Sequence, residues 1–142
     1  MGPHSGFCRA NSEEYVRSTH AETLLLVQIE SERGINNLDN ILSVDGVDGG
    51  VIGRADLSSD LGLPGQSNHP EVARRVEMLI AACHRHKKIP GLLVQDFASA
   101  KEWISKGVRL VPYSNEVSLL VNAGELAVST IRSFARGVRT NG

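Results

Sequence analysis

Cysteine is scarce in this sequence: Cys8 and Cys83 are the only two in 142 residues. They have no CxxC partner spacing, which excludes a zinc ribbon, and a lone disulfide has nothing to support it. Two reduced thiols are the expectation. An excess of one charge is also lacking. Fifteen Lys and Arg meet sixteen Asp and Glu for a formal net charge of −1. That gives no electrostatic footprint for nucleic acid or for an anionic membrane surface. Long apolar runs are missing too, since none approaches the roughly 20 residues that a membrane span needs. The opening Met1 to Gly6 has no basic segment leading into an apolar one, so the cytoplasm is the expected location.

What remains is an ordinary globular composition, 41% hydrophobic and 22% charged, in a length that suits one domain. Residues 1–142 are read as a single unit with no repeat, low-complexity stretch or linker. Four short apolar runs stand out: Leu24 to Glu30, Gly49 to Gly53, Ile89 to Val94 and Val108 to Tyr113. Each is bounded by Gly, Pro or charge, as buried parallel strands are. Helical spacing covers Asn36 to Ser43, Pro70 to His86, Ala98 to Ser105 and Val117 to Ala135, with Glu13 to Thr19 a further candidate. Pro70 suits a first turn, and Asn68 or His69 is placed to cap it. Strands alternating with helices imply a parallel α/β sheet. Two architectures fit, a small open doubly wound sheet and half of a (β/α)₈ barrel, and periodicity does not separate them.

Two carboxylates fall at strand ends. In Leu24 to Glu30 the alternation puts Leu24, Leu26, Gln28 and Glu30 on one face and Leu25, Val27 and Ile29 on the other. Glu30 then sits at the C-terminal end of its strand, or else caps the next helix. Asp56 follows the second strand in Gly53-Arg54-Ala55-Asp56-Leu57-Ser58, where an N-cap is the alternative reading. The C-terminal ends of strands are where ligands bind in open sheets and barrels alike. Mg²⁺ is commonly held by one or two carboxylates plus waters and substrate oxygens. Other residues point to structure: His84 and His86 do not share a helix face, Trp103 packs a helix on the sheet, and Asp45 and Asp48 flank a glycine turn.

Taken together, the motifs resemble the HpcH/HpaI aldolase/citrate lyase family. The match runs through Gln28-Ile29-Glu30, Asn37 to Leu42, Val44 to Gly49, Ile52 to Ser58, Leu61-Gly62, His69 to Val72, Pro90 to Leu93, Gly107 to Val111 and Leu119-Leu120. Arg9-Ala10-Asn11 resembles the end of the loop before the fifth barrel strand. The resemblance implies the C-terminal half, strands 5–8, of a (β/α)₈ barrel that makes or breaks a carbon–carbon bond next to pyruvate. It implies Glu30 and Asp56 as ligands of a divalent metal, Mg²⁺, Mn²⁺ or Co²⁺. Gln28 would lie beside the metal, Ala55 would offer its N–H to the pyruvate carboxylate, and Ser5 would contact substrate from the preceding loop.

The activity so implied is aldol cleavage of a hydroxy keto acid to pyruvate and an aldehyde. A non-catalytic half-barrel remnant and a citrate-type lyase or synthase are the competing readings. Two departures stand against full activity. Arg54 replaces the Pro or Pro-Tyr usual in the family; it is read as facing solvent, with a substrate carboxylate as its other reading. The His and Arg that the first four strands bring have no counterpart in these residues. Open sheet edges and an unfilled inner face, including Leu24 and Leu26, predict a homo-oligomer.

Overall fold

The computed structural model describes residues 12–138. Helix α1 spans Ser12–Glu22 and leads to strand β1, Leu26–Ile29. Helices α2 (Glu32–Asn36) and α3 (Leu38–Leu42) follow, then strand β2 (Gly49–Ile52) and helix α4 (Arg54–Asp60). Helix α5 (Pro70–Arg85), strand β3 (Ile89–Leu92), helix α6 (Phe97–Ser105) and helix α7 (Glu116–Val138) complete the order. The three strands pair in parallel as β1-β2-β3, with Leu26 beside Gly49 and Gly49 beside Ile89.

The fourth expected strand is only partly formed. Around Val108 to Tyr113 the chain makes two isolated parallel bridges, Gly91 with Leu110 and Val94 with Tyr113. Leu92 N–H donates to the Leu110 carbonyl at 3.0 Å and Val94 N–H to that of Pro112 at 3.0 Å. Pro112 has no N–H to give, so a continuous ladder cannot run past it and the segment stays a broken edge. The single helix expected over Asn36 to Ser43 is instead the pair α2 and α3. Asn37 closes α2 with its N–H on Gly34 and Ile35 carbonyls, and Ile35, Leu38 and Leu42 are buried across the break.

The packed helices serve one face of the sheet. Helix α5 carries the apolar spacing read from the sequence: Val72, Val76, Leu79 and Cys83 are buried, and it lies against β2 and β3, with α3, α2 and α4 beside it. Close approach needs Gly50, where a Cβ would meet Leu79 Cδ1 at 2.8 Å. His69 caps α5 as expected: its Nδ1 accepts from Glu71 N–H at 3.2 Å, with Pro70 in the first turn. Trp103 of α6 is buried, with the Lys106 ammonium 4.5 Å from its ring centre. Burial also pushes the Cys83 thiol up, so it packs as a hydrophobe. Cys8 lies outside the described residues.

The opposite face of the sheet is open. Leu24 is 57% exposed and Leu93 38%. Helix α7 does not cover it, and its own apolar residues from Val117 to Phe134 are exposed. Among the described residues no helix is long and apolar enough to cross a membrane.

Candidate active site

The C-terminal ends of β1 and β2 build one cleft. The parallel ladder continues one step past β1, where Gly53 N–H donates to the Ile29 carbonyl at 3.0 Å. That step brings Glu30 alongside Gly53. A Cβ on Gly53 would stand 2.6 Å from Glu30 Cγ, so the carboxylate of Glu30 rests directly over this glycine. From here the chain turns into α4, with Gly53 at the N-cap. Asp56 is therefore in the first turn of α4 rather than at its cap, where a negative side chain is favoured by the helix dipole. Leu57 and Ser58 are buried and anchor this turn, and Ser58 Oγ donates to the Ala55 carbonyl at 2.7 Å.

Gln28, Glu30, Gly53, Arg54, Ala55 and Asp56 all line the cleft, with Ser67, Leu93, Gln95 and Pro112 on its other walls; its volume is about 420 Å³. Gln28 Nε2 donates to Glu30 Oε1, which ties one oxygen of that carboxylate to its neighbour on the same strand. Ser5 and the Arg9 to Asn11 segment lie outside the described residues.

Behind the cleft the chain is braced. Arg75 of α5 grips Glu32 through Nε at 3.1 Å and Nη2 at 3.0 Å, and also pairs with Glu71. Glu32 N–H donates to Asp60 Oδ2 at 2.7 Å. These contacts tie α2, just past Glu30, to α5 and to the end of α4. The two carboxylates hold the Arg75 pKa up. This brace was not read from the sequence, because nothing local joins residues so far apart.

Arg54 overturns its solvent-facing reading. Its Nη1 donates to Asn68 Oδ1 at 2.9 Å and its Nη2 to the Leu93 carbonyl at 3.0 Å. The side chain lies across the cleft wall, half-buried, and burial pulls its pKa down against the opposing field of Asp96. Gln95 was also missed, although it lies three residues past the end of β3, at the strand ends where ligands bind. Its Oε1 accepts from Ser114 Oγ at 3.1 Å.

The donor set suits a hard cation. No group of three or more His, Cys, Asp or Glu able to hold a metal occurs among the described residues. Two carboxylates and an amide lining one open cleft fit Mg²⁺-type binding, where waters and substrate oxygens complete the shell.

The sequence profile of the HpcH/HpaI aldolase/citrate lyase family matches residues 7–123. The chain is 38% identical over 125 residues to the hydroxypyruvate/pyruvate aldolase of Roseobacter denitrificans, covering 88% of this chain and 48% of that protein. It is 35% identical over 126 residues to a 4-hydroxy-2-oxo-heptane-1,7-dioate aldolase of Escherichia coli, covering 89% and 48%. Among solved structures, the HpcH/HpaI aldolase of Desulfitobacterium hafniense superposes with a TM-score of 0.80 at 31% identity, covering 90% of this chain and 50% of that one. The chain thus spans about half the length of the curated relatives it matches. Its strand-end carboxylates, its one-sided parallel sheet and these likenesses agree, and the chain belongs to the HpcH/HpaI aldolase/citrate lyase family.

Proposed function

We propose that residues 1–142 are one partial aldolase domain, strands 5–8 of a (β/α)₈ barrel, and carry the metal-binding half of a class II pyruvate aldolase site. The reaction is reversible cleavage of a hydroxy keto acid to pyruvate and an aldehyde. The observation that supports this reading best is the convergence of Glu30, Asp56 and Gln28 on one cleft at the strand ends, in a chain whose relatives are named aldolases.

Glu30 and Asp56 hold the divalent metal, Mg²⁺, Mn²⁺ or Co²⁺. When bound, such a cation supplies Lewis-acid stabilisation of the negative charge that develops on the keto oxygen. Gln28 orients the Glu30 carboxylate through its amide, an outer-shell role of the kind that tunes metal affinity. Ala55, in the first turn of α4, offers its N–H to the pyruvate carboxylate, and Ser5, in the preceding loop, contacts substrate. The open sheet face leads us to expect a homo-oligomer in solution.

The test is pyruvate release from a hydroxy keto acid with Mg²⁺ or Mn²⁺ added. By itself this chain is expected to turn over slowly, because losing acid–base assistance alone costs about 10²–10⁴-fold. Metal-dependent pyruvate release at that low level supports the aldolase reading. Rates equal to those of full-length relatives show that residues of this chain replace the expected His and Arg. Complete lack of turnover together with no metal binding supports a non-catalytic remnant. Release of a product other than pyruvate supports a citrate-type reaction.

A further inference from the structure

The cleft has two chemically distinct poles. Glu30 lies over Gly53 at the β1–β2 end, and Asp56 follows in the first turn of α4. Arg54 reaches the other way. Its two acceptors are the carbonyl of Leu93, just past β3, and Asn68, ahead of α5. Glu30 follows β1 and Leu93 follows β3, with β2 between them, so the two poles belong to opposite sides of the three-stranded sheet's C-terminal edge.

Both acceptors of Arg54 are neutral. Among the described residues it forms no ion pair with a carboxylate, and Asp96 acts on it only through a longer-range field. A guanidinium has five N–H donors in a planar fork, and among the described residues two hydrogen bonds engage it. The side chain is nonetheless half-buried and its geometry is fixed from two loops. A held, partly desolvated cation on a cleft wall is arranged to receive an anion, and a carboxylate matches the fork best.

We propose that Arg54 is a specificity-determining residue, whose guanidinium binds a second carboxylate of the substrate at the β3 pole while the keto acid end occupies the β1–β2 pole. The proposal rests on the metal-binding reading of Glu30 and Asp56. It makes the preferred ligand a keto dicarboxylate with a short carbon chain between its anionic ends. Arg54 need not move to bind, because Asn68 and the Leu93 carbonyl already set its orientation.

The probes are pyruvate and 2-oxoglutarate, each titrated against the chain with Mn²⁺ present. Broadening of ligand proton signals by the paramagnetic ion reads binding directly and requires no turnover. The expected result is tighter binding of 2-oxoglutarate than of pyruvate. Arg54→Gln should weaken 2-oxoglutarate by about ten- to hundredfold, as loss of a charged hydrogen bond does, and change pyruvate by less than about twofold on the same scale. Should the Gln variant fail to fold, Arg54→Pro is the second variant, because the first helical position accepts proline. Equal affinity for the two acids, or equal weakening of both by Arg54→Gln, overturns the proposal and leaves the metal site standing. No Mn²⁺-dependent broadening of either acid overturns the metal-site reading and the specificity proposal with it.

Discussion

Helices α5 and α7 carry the same kind of pattern and meet opposite fates. In α5 the residues at helical spacing, Val72, Val76, Leu79 and Cys83, are all 0% exposed. In α7 the corresponding stripe has Leu120 at 76%, Ile131 at 65% and Phe134 at 67%. The difference lies in what stands opposite. Helix α5 lies on β2 and β3, close enough for Gly50 to be required beneath Leu79. Helix α7 leaves the sheet after Tyr113 and Ser114, the latter held at φ 56°, and no part of the sheet lies under its apolar stripe. An amphipathic pattern specifies that a face is to be buried, and only tertiary structure specifies against what.

The largest expected effect tests that contrast directly. Leu79→Ala should cost about 2–5 kcal/mol, the range for a buried leucine truncated in a packed core. That is a large share of the roughly 5–15 kcal/mol holding a typical domain. Leu120→Ala should stay within about 0.5 kcal/mol, as exposed substitutions do. Chemical denaturation of both variants at low protein concentration reads the difference. Equal losses would mean that α7 is buried in solution, and the comparison would fail.

The same contrast predicts self-association. An exposed apolar helix and an uncovered sheet face both favour contact with another molecule. Light scattering should show a mass that rises with concentration, and Leu120→Glu combined with Ile131→Glu should lower it. A monodisperse monomer that unfolds cooperatively would show that the open face needs no partner.

These two regions also explain how legible the molecule was in its sequence. Three of the four expected strands and the full extent of α5 follow from local periodicity and from Pro70 and His69, signals that act within a few residues. Glu30 and Asp56 could be singled out because strand ends are local features too and the family motifs around them are contiguous, and both line the same cleft. Pro112 carried its own warning about the fourth strand, since it has no N–H to give to the ladder beside β3. The role of Arg54 was not legible, because its acceptors, Asn68 and the Leu93 carbonyl, are 14 and 39 residues away in the chain. The Arg75 brace was hidden for the same reason, its partner Glu32 being 43 residues away.

Two glycines sharpen the comparison between the sheet's two faces. At Gly50 an added methyl would press into Leu79 from below, at 2.8 Å. At Gly53 it would press into the Glu30 side chain, with Cγ 2.6 Å away. Gly50→Ala should therefore lower stability by about 1–3 kcal/mol, as overpacking does, while leaving metal affinity close to wild type. Gly53→Ala should do the reverse. It displaces a carboxylate that lines the open cleft, at little cost in melting temperature, and should weaken Mn²⁺ binding by about 10–100-fold, the loss seen when the support of a ligand is disturbed. Calorimetric titration with Mn²⁺ alongside thermal melts separates the two outcomes. Unchanged Mn²⁺ affinity in Gly53→Ala would remove Glu30 from the metal site.

The smallest expected effect concerns acid. On the packed side, Asp39 of α3 accepts from Arg85 Nη2 at 2.8 Å and meets His86 Nε2 at 2.8 Å, which joins α3 to the end of α5. Those hydrogen bonds, Arg85 first and His86 second, hold the Asp39 pKa below its ordinary value. Asp96 is lowered as well, chiefly by the Ser99 N–H and hydroxyl that it accepts as the cap of α6. A carboxylate whose folded pKa lies below its unfolded value of about 3.9 stabilises the fold above that value. The contribution is lost as pH falls through the lower folded pKa. Melting temperature should thus be flat with respect to these groups from about pH 5 to 7 and fall below about pH 4. Both groups are well exposed, so the slope should be shallow and weaken further in salt. Asp39→Asn should flatten part of the acid limb and Asp96→Asn, which keeps a capping side chain, should flatten another part. An acid limb identical in both variants and wild type would mean that these pairs do not form in solution, and that α3 and α6 are held by their buried residues alone.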